Sequence, residues 1–218
     1  MNRRMISAAF ALLFIIMSIA GCGGESVQQY PVMDPIDISS LELALGEDSE
    51  IKYSVPADKW ILGTNNLNAL IAVLADSYGT DQQAAINVSI GDYSGDPFDQ
   101  EFADGVKAST DAEALGTKVK LTEIRSFNGT NICYSEAVTE YTDDVIDNLM
   151  EYGILTEEGL EAIGGREFLL SMPATEQITV QHGIDKKLIT YGGIYYTAEQ
   201  KDAVLEAINI MLQTTELK

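Results

Sequence analysis

Residues 118–139, KVKLTEIRSFNGTNICYSEAVT, decide the fold, because they predict two antiparallel strands joined by a tight turn. The first strand is predicted over 118–124 and the second over 130–139, where residues that favour extended backbone are frequent. Asn128 and Gly129 between them readily accept the positive φ angles of a type I′ hairpin turn. We therefore expect an antiparallel sheet.

The C-terminal part of the chain predicts a second strand pair and a final helix. The strands are predicted over 177–182 and 187–196, with the turn at 183–185. A helix is expected to begin after Thr197, since TAEQ at 197–200 fits a capping box. Its apolar residues form one continuous stripe, made of Ala203, Val204, Ala207, Ile208, Met211 and Leu212.

The N-terminal half of the domain predicts further strands. Residues 51–55 and 84–90 alternate apolar and polar side chains, as half-buried strands do. Residues 67–75, LNALIAVLA, have helical spacing but the short length and partial β-branching of a strand. Periodicity alone leaves both structures open for this segment.

Helices are predicted in two further places. Asp96 followed by Pro97 is typical of a helix start, with Asp96 as the N-cap and Phe98 at the beginning of the apolar face. Residues 143–163 predict two short helices broken at Gly153.

The N-terminus predicts export and lipidation. Arg3 and Arg4 precede an uncharged apolar run over 5–20, which is short for a membrane span and right for a signal peptide. The run ends in IAGC, which resembles the lipobox of bacterial lipoproteins and identifies Cys22 as the lipidated residue. The alternative is an ordinary signal peptide with an incidental cysteine.

These features divide the chain into three parts. Residues 1–21 are the predicted signal peptide, and 22–48 a lipid-anchored tether that lifts the domain off the membrane. Within the tether, residues 38–45 are apolar enough to dock back onto the domain as a strand. Residues 49–218 are predicted to form a single α/β domain with a helical insertion near 143–163. Cleavage removes two of the 13 basic residues and no acid, which leaves 11 basic against 34 acidic residues.

The order of these elements resembles the PsbP/Mog1-like superfamily, which includes the DcrB-type bacterial lipoproteins. There, a strand runs into a turn of the form P-x-x-W and a hairpin, a helix, further antiparallel strands and a long C-terminal helix follow. Here three residues separate Pro56 from Trp60, and the segment 143–163 has no counterpart in that pattern. The resemblance implies an α/β (α+β) fold, an antiparallel sheet covered by helices as an α/β/α sandwich. It also favours a strand over 67–75.

Composition and charge exclude several classes of protein. The chain has 218 residues, of which 46% are hydrophobic, too many for a disordered protein. Its formal net charge of -21 argues against nucleic-acid binding, which requires Lys and Arg to neutralise phosphates. With Cys22 lipidated, Cys133 is the only remaining thiol, so no intramolecular disulfide is expected.

Catalytic signatures are few. The sequence contains no serine-hydrolase elbow, zinc-protease motif, C-x-x-C pair or nucleotide-binding loop. His182 is the only histidine, and a surface or turn position suits it better than the role of general base. Cys133 lies in a predicted strand with no basic residue near it in sequence, so we expect a buried structural thiol.

Carboxylates are the abundant chemical group, and one cluster has the oxygen ligands that Ca²⁺ prefers. It consists of Asp92, Ser94, Asp96 and Asp99. The alternative is local helix chemistry, because an acid caps the helix start and others favour the helix dipole.

A second acidic block lies between Arg125 and Arg166, where the chain has no basic residue. We predict a candidate partner surface from its acids Glu136, Glu140, Asp143, Asp144, Asp147 and Glu151. Such a surface would attract a basic protein partner, and a solvated acidic face is the alternative.

Together these patterns predict a membrane-anchored extracytoplasmic lipoprotein that acts as a non-catalytic binding or interaction module. It would lie on the cell surface or on the periplasmic face of a bacterial membrane, attached through the lipid on Cys22. The alternative is a surface hydrolase acting on glycans or peptides, for which no carboxylate pair stands out among 34 acids. No cofactor is expected beyond the Ca²⁺ considered above.

Overall fold

The computed structural model describes residues 30–47, 50–64 and 70–218. The strands in chain order are β1 Val32–Met33, β2 Leu43–Glu47, β3 Ile51–Pro56, β4 Trp60–Thr64, β5 Leu70–Leu74, β6 Ala85–Asp92, β7 Thr117–Phe127, β8 Thr130–Thr139, β9 Thr175–Ile184, β10 Lys187–Tyr195 and β11 Glu216–Leu217. The helices are α1 Gln100–Thr110, α2 Asp143–Glu151, α3 Glu157–Ala162, α4 Arg166–Ser171 and α5 Ala198–Thr214. Two short 3-10 turns cover Ala75–Ser77 and Glu113–Leu115.

Two sheets organise these elements. The larger has eight strands in the order β1-β7-β8-β9-β10-β6-β5-β4, and the smaller has the order β11-β3-β2. All neighbouring strands are antiparallel except β1 and β7. Helix α1 packs against β7 and β8, and α5 packs against β3, β6 and β10. The predicted α+β class with an antiparallel sheet covered by helices is confirmed.

The hairpin that decides the fold forms as predicted. Asn128 and Gly129 connect β7 to β8 with φ angles of 50° and 78°, which is the positive region that a type I′ turn needs. Ile124 lies opposite Cys133, and Arg125 lies opposite Ile132. Cross-strand partners share a face of the sheet, so the hairpin presents Ile124 and Cys133 to one side and Ile132 to the other.

The second hairpin turns two residues later than predicted. Its turn residues are Asp185 and Lys186, with φ angles of 46° and 65°, and neither is glycine. Gly183 lies inside β9 instead. A Cβ atom there would come within 3.0–3.1 Å of Tyr93 and Phe98, so this glycine serves close packing rather than the turn.

The ambiguous segment 67–75 contains strand β5, which pairs with both β4 and β6. The prediction of a strand is therefore confirmed for Leu70–Leu74. Residues 67–69 lie outside the described residues.

Helix α5 is covered on two sides. The single apolar stripe in its sequence predicted burial of one side only. Residues 207–212 are all buried, including Asn209 and Ile210, which lie off that stripe. The smaller sheet explains this, because β3 places Ile51, Tyr53 and Val55 in the same core cluster as α5 and the large sheet. The layers run from α1 through the large sheet and α5 to the small sheet.

Trp60 belongs to that core cluster. Only 3% of its surface is exposed, and Val204, Ile208, Met211 and Leu212 of α5 are members of the same cluster. The indole sits at the start of β4, directly opposite Leu74 of β5.

Helix α1 begins later than predicted, and its N-cap is Asp99 instead of Asp96. The Asp99 carboxylate accepts a hydrogen bond from the backbone N–H of Phe102 at 3.1 Å. Phe98 thus precedes the helix, but its ring still packs 4.4 Å from that of Phe102. A second cluster formed around these rings covers Ile124 and Cys133 on the face away from α5.

The two short helices predicted over 143–163 are confirmed as α2 and α3, and a third helix, α4, extends the helical insertion to residue 171. Thr142 and Thr156 cap the first two, each accepting a hydrogen bond from a backbone N–H three residues later. Gly153 and Gly165 have positive φ angles between the helices. The predicted break at Gly153 is confirmed.

Residues 30–47 are part of the fold, so the tether predicted over 22–48 is too long. Val32 and Met33 pair with Ser126 and Phe127 of β7. Asn209 of α5 then holds the next stretch, because its amide accepts from the Ile36 N–H at 3.3 Å and donates to the Asp34 carbonyl at 3.0 Å. Any tether must therefore end before residue 30.

The predicted signal peptide 1–21 and Cys22 lie outside the described residues. Within the described part, none of the helices is long and apolar enough to cross a membrane.

Candidate functional site

A groove of about 680 Å³ lies beside the N-terminal half of α5. Three separated parts of the chain form it: the turn between β3 and β4, the end of β5 with its 3-10 turn, and α5. The lining residues are Asp58, Lys59, Leu74, Asp76, Ser77, Glu199, Gln200, Asp202, Ala203 and Glu206. We call it the α5 groove.

The floor of the α5 groove is held by hydrogen bonds. Ser77 is buried, and its hydroxyl donates to the Leu74 carbonyl at 2.9 Å and accepts from the Ala84 N–H at 3.0 Å. Gln200 donates to the Gln82 carbonyl at 2.9 Å, which ties α5 to the segment before β6. These hydrogen bonds join the segments that form the groove.

The rim of the α5 groove is strongly acidic. Five carboxylates line it, and Lys59 is its single cation. Lys59 is already paired with Glu206, with 2.5 Å between Nζ and Oε2. The apolar parts of Leu74 and Ala203 lie between these charges. Such a surface suits a ligand that carries positive charge on an apolar body.

The residues of the candidate Ca²⁺ site have separate partners. The Asp92 carboxylate lies 2.9 Å from Lys187 Nζ, the Ser94 hydroxyl donates to Asp96, and Asp99 caps α1. Asp96 and Asp99 do line a cleft of about 350 Å³ together with Glu101. Among the described residues, however, no three potential ligands lie close enough to hold a metal ion. The local helix chemistry considered above accounts for Asp99, not for Asp96.

The candidate partner surface divides in two. Glu136 points into the protein, with 18% of its side chain exposed, and contacts Tyr134 and Lys201. Asp143 and Asp147 both contact Arg166 from the helical insertion. The remaining members, Glu140, Asp144 and Glu151, are exposed.

Glu136 is the centre of a half-buried charge network. Burial opposes its ionisation, but hydrogen bonds from the Tyr134 hydroxyl at 2.6 Å and Lys201 Nζ at 2.9 Å lower its pKa below the ordinary value. Arg125 stacks 3.5 Å above the Tyr134 ring, and its Nε donates to Glu123 at 2.6 Å. The network joins β7, β8 and the first turns of α5.

His182 takes neither the surface nor the turn position that was predicted. It lies half-buried in the interior of β9, with Ile189 as its partner on β10. Burial lowers its pKa below the ordinary value, so the ring is neutral at physiological pH. Because Cys133 lies opposite Gln181, the neighbour of His182, the thiol and the imidazole occupy opposite faces of the sheet.

Cys133 is the buried thiol that was predicted. Only 1% of its surface is exposed, and burial raises its pKa to about 12. A thiol with so high a pKa is almost fully protonated near neutral pH and is a poor nucleophile.

The chain was also compared with known proteins. No family model and no curated protein matches it. Solved structures that are similar at low sequence identity include the following three. Cyanobacterial PsbP from Synechocystis sp. PCC 6803 is 14% identical, with a TM-score of 0.45 over 92% of this chain and 99% of that one.

LpqN of Mycobacterium tuberculosis, described as involved in cell envelope biogenesis, is 12% identical, with a TM-score of 0.44 over 83% of this chain and 92% of that one. A mutant of Mog1 is 10% identical, with a TM-score of 0.42 over 81% and 96% of the two chains. PsbP and Mog1 are the two proteins after which the superfamily that the sequence resembles is named.

Proposed function

We propose that this protein is a membrane-anchored extracytoplasmic binding module with no catalytic role. It is held at the membrane by lipid on Cys22, and it binds a cationic ligand in the α5 groove. The observation that carries the proposal is the groove itself, a concavity whose lining combines the apolar residues Leu74 and Ala203 with five carboxylates and one paired lysine. A ligand with ammonium groups separated by methylene segments matches both features.

The chemistry of the described residues favours binding over hydrolysis. A general acid needs a carboxyl group with a raised pKa, whereas the pKa of Glu136 is lowered despite its partial burial, because Tyr134 and Lys201 donate hydrogen bonds to it. Cys133 and His182 cannot act together, because they lie on opposite faces of the sheet. No observation supports the alternative of a surface hydrolase acting on glycans or peptides.

The groove is tested by isothermal titration with spermidine, a linear cation with methylene spacers, on the full chain in a neutral detergent. The variant Asp76→Asn with Asp202→Asn should bind about three- to tenfold more weakly, since each exposed charge pair contributes about 0.2–1 kcal/mol. The matched control, Glu101→Gln with Asp104→Asn, removes two carboxylates from α1 and should bind like the wild type. No binding by the wild type, or equal weakening in the control, would show that the groove is not the site.

The anchor is tested separately by replacing Cys22 with serine. The wild type should stay with the membrane fraction after a carbonate wash, and the Cys22→Ser variant should not carry the lipid. Metabolic labelling with a radioactive fatty acid gives the direct measurement. Labelling of the variant at the level of the wild type would contradict the anchor and leave the groove proposal untouched.

A further inference from the structure

Exposed apolar side chains are concentrated in the helical insertion. Ten large apolar residues of the described chain are exposed, and half of them lie within residues 143–171. They are Tyr152, Ile154, Ile163, Phe168 and Leu170, with exposed fractions of 63%, 61%, 44%, 50% and 38%. Scattered apolar residues on a surface are ordinary, but such a concentration in one short segment is typical of contact surfaces.

The same segment is strongly acidic. It contains eight carboxylates, Asp143, Asp144, Asp147, Glu151, Glu157, Glu158, Glu161 and Glu167, and Arg166 is its only basic residue. Both terminal nitrogens of the Arg166 guanidinium contact carboxylates within the segment. Nη1 lies 2.8 Å from the Asp143 carboxylate, and Nη2 contacts Asp147. The insertion therefore presents a strong negative field around its exposed apolar side chains.

The insertion is attached to the domain through buried residues, most of them on α2. Val145 and Ile146 of α2 are buried, and Asn148 donates to the carbonyl of Ala114 at 2.9 Å. Gly116 leaves room for Val145, since a Cβ at this glycine would overlap the valine side chain. With α2 fixed in this way, the exposed residues of the later helices are held in place without being covered.

Three kinds of occupant could cover such a surface, and charge decides between them. A bacterial membrane surface is negative when rich in anionic lipids, so the carboxylates would be repelled from it. In a symmetric pair of this chain, each acidic surface would face its own copy, and like charges opposite each other are unfavourable. A partner with Lys and Arg beside apolar residues is complementary to both the carboxylates and the exposed apolar side chains of the insertion.

We propose that the helical insertion docks a basic amphipathic segment of another protein. Phe168 and Ile154 supply apolar contacts, and the carboxylates of α3 supply attraction and orientation. This surface is separate from the α5 groove, and the proposal stands whether or not the groove binds cations. The insertion thereby acts as a recognition element added to the sheet.

The test uses the full chain in vesicles of neutral phosphatidylcholine and a short fluorescent peptide of Leu and Lys that forms a basic amphipathic helix. Protein-free vesicles give the background. We expect saturable binding that weakens steeply as salt is added. Ile154→Ser with Phe168→Ser should weaken binding about tenfold or more, as loss of central apolar contacts does.

A second variant keeps the proposal testable if serine disturbs the insertion. Glu157→Gln, Glu158→Gln and Glu161→Gln together should weaken binding several-fold at low salt and reduce its salt dependence. The control combines Ile61→Ser on β4 with Glu101→Gln and Asp104→Asn on α1, and should bind like the wild type. These controls match the removed groups in kind while leaving the insertion intact.

Three outcomes would overturn the proposal. The first is no peptide binding by the wild type, and the second is equal weakening in the control variant. The third is Phe168-dependent adhesion between protein-loaded vesicles and vesicles of phosphatidylglycerol, or Phe168-dependent dimerisation, because either would identify a membrane or a second copy as the occupant.

Discussion

Helix α5 and the helical insertion use apolar residues for opposite purposes. In α5, six consecutive residues from 207 to 212 are buried, because the large sheet covers one side of the helix and the small sheet covers the other. In the insertion, five large apolar side chains remain exposed, two of them on α4 and three in the connections that follow α2 and α3. The contrast shows that the number of layers around a helix decides whether its apolar residues stabilise the fold or stay available for contact.

Within the core that contains α5, the largest loss of stability is expected when Trp60 is replaced. Trp60→Ala should lower the free energy of unfolding by about 3–5 kcal/mol, because it leaves a cavity beside α5 and β5. Trp60→Phe is the matched control and should cost far less, since the indole N–H has no acceptor among the described residues and thus no hydrogen bond is lost. Chemical denaturation measures both, and near-neutral behaviour of Trp60→Ala would contradict its place in the core.

Gly193 of β10 provides a test of the contact between α5 and the large sheet. A Cβ atom at this position would overlap the side chain of Val204 on α5, so Gly193→Ala should cost about 1–3 kcal/mol. Adding Val204→Ala removes the overlapping atoms, and the double variant should lose less than the sum of the two single changes. Strict additivity in a double-mutant cycle would mean that the two positions do not meet.

The polar edge of the α5 interface depends on Glu136. Glu136→Gln should lower stability by about 1–2 kcal/mol at neutral pH, since charged hydrogen bonds with Lys201 and Tyr134 become neutral ones. Because the folded pKa lies below the unfolded value of 4.5, the wild-type advantage is present above that value and is lost as pH falls through the folded pKa.

Denaturant titrations at neutral and acid pH measure this convergence of wild type and variant. Glu101→Gln on α1 replaces an exposed carboxylate and serves as the control. A difference between wild type and Glu136→Gln that persists unchanged well below pH 4.5 would contradict the assigned ion pair.

The insertion gives the smallest effect on stability. Phe168→Ser should change the free energy of unfolding by no more than about 0.5 kcal/mol, because half of the side chain is already in water. Leu169→Ser at the neighbouring buried position is the contrast and should destabilise clearly. Equal losses for the two variants in thermal unfolding would show that Phe168 is structural and not a free contact residue.

Local signals allowed most strands and helix starts to be predicted. Asn128-Gly129 specifies its turn through backbone angles that few other pairs accept, and Thr197 and Thr156 cap helices through their own hydroxyls. The missed features lack such signals. The turn at Asp185 and Lys186 has positive φ angles without a glycine to indicate them. At the start of α1, both Asp96 and Asp99 are suitable N-cap residues, and the structure uses Asp99.

The candidate sites were harder to predict than the elements. The acids of the α5 groove come from residues 58, 76 and 199–206, which only the folded chain brings together. Glu136 was counted with the acidic surface because sequence gives its charge and not its neighbours, Tyr134 and Lys201. The insertion could be recognised from composition, since its carboxylates are contiguous in sequence.

The sequence by itself determined the class of fold, the boundaries of most elements, the acidic character and the buried state expected for Cys133. These depend on local backbone preferences and on hydrophobicity, which each short segment carries on its own. Tertiary structure decided that residues 30–47 join the domain, that a second sheet covers α5, and that His182 and Cys133 lie on opposite faces. Those outcomes depend on strand pairing and register between distant segments, where shifting the register by one residue exchanges the two faces of a strand.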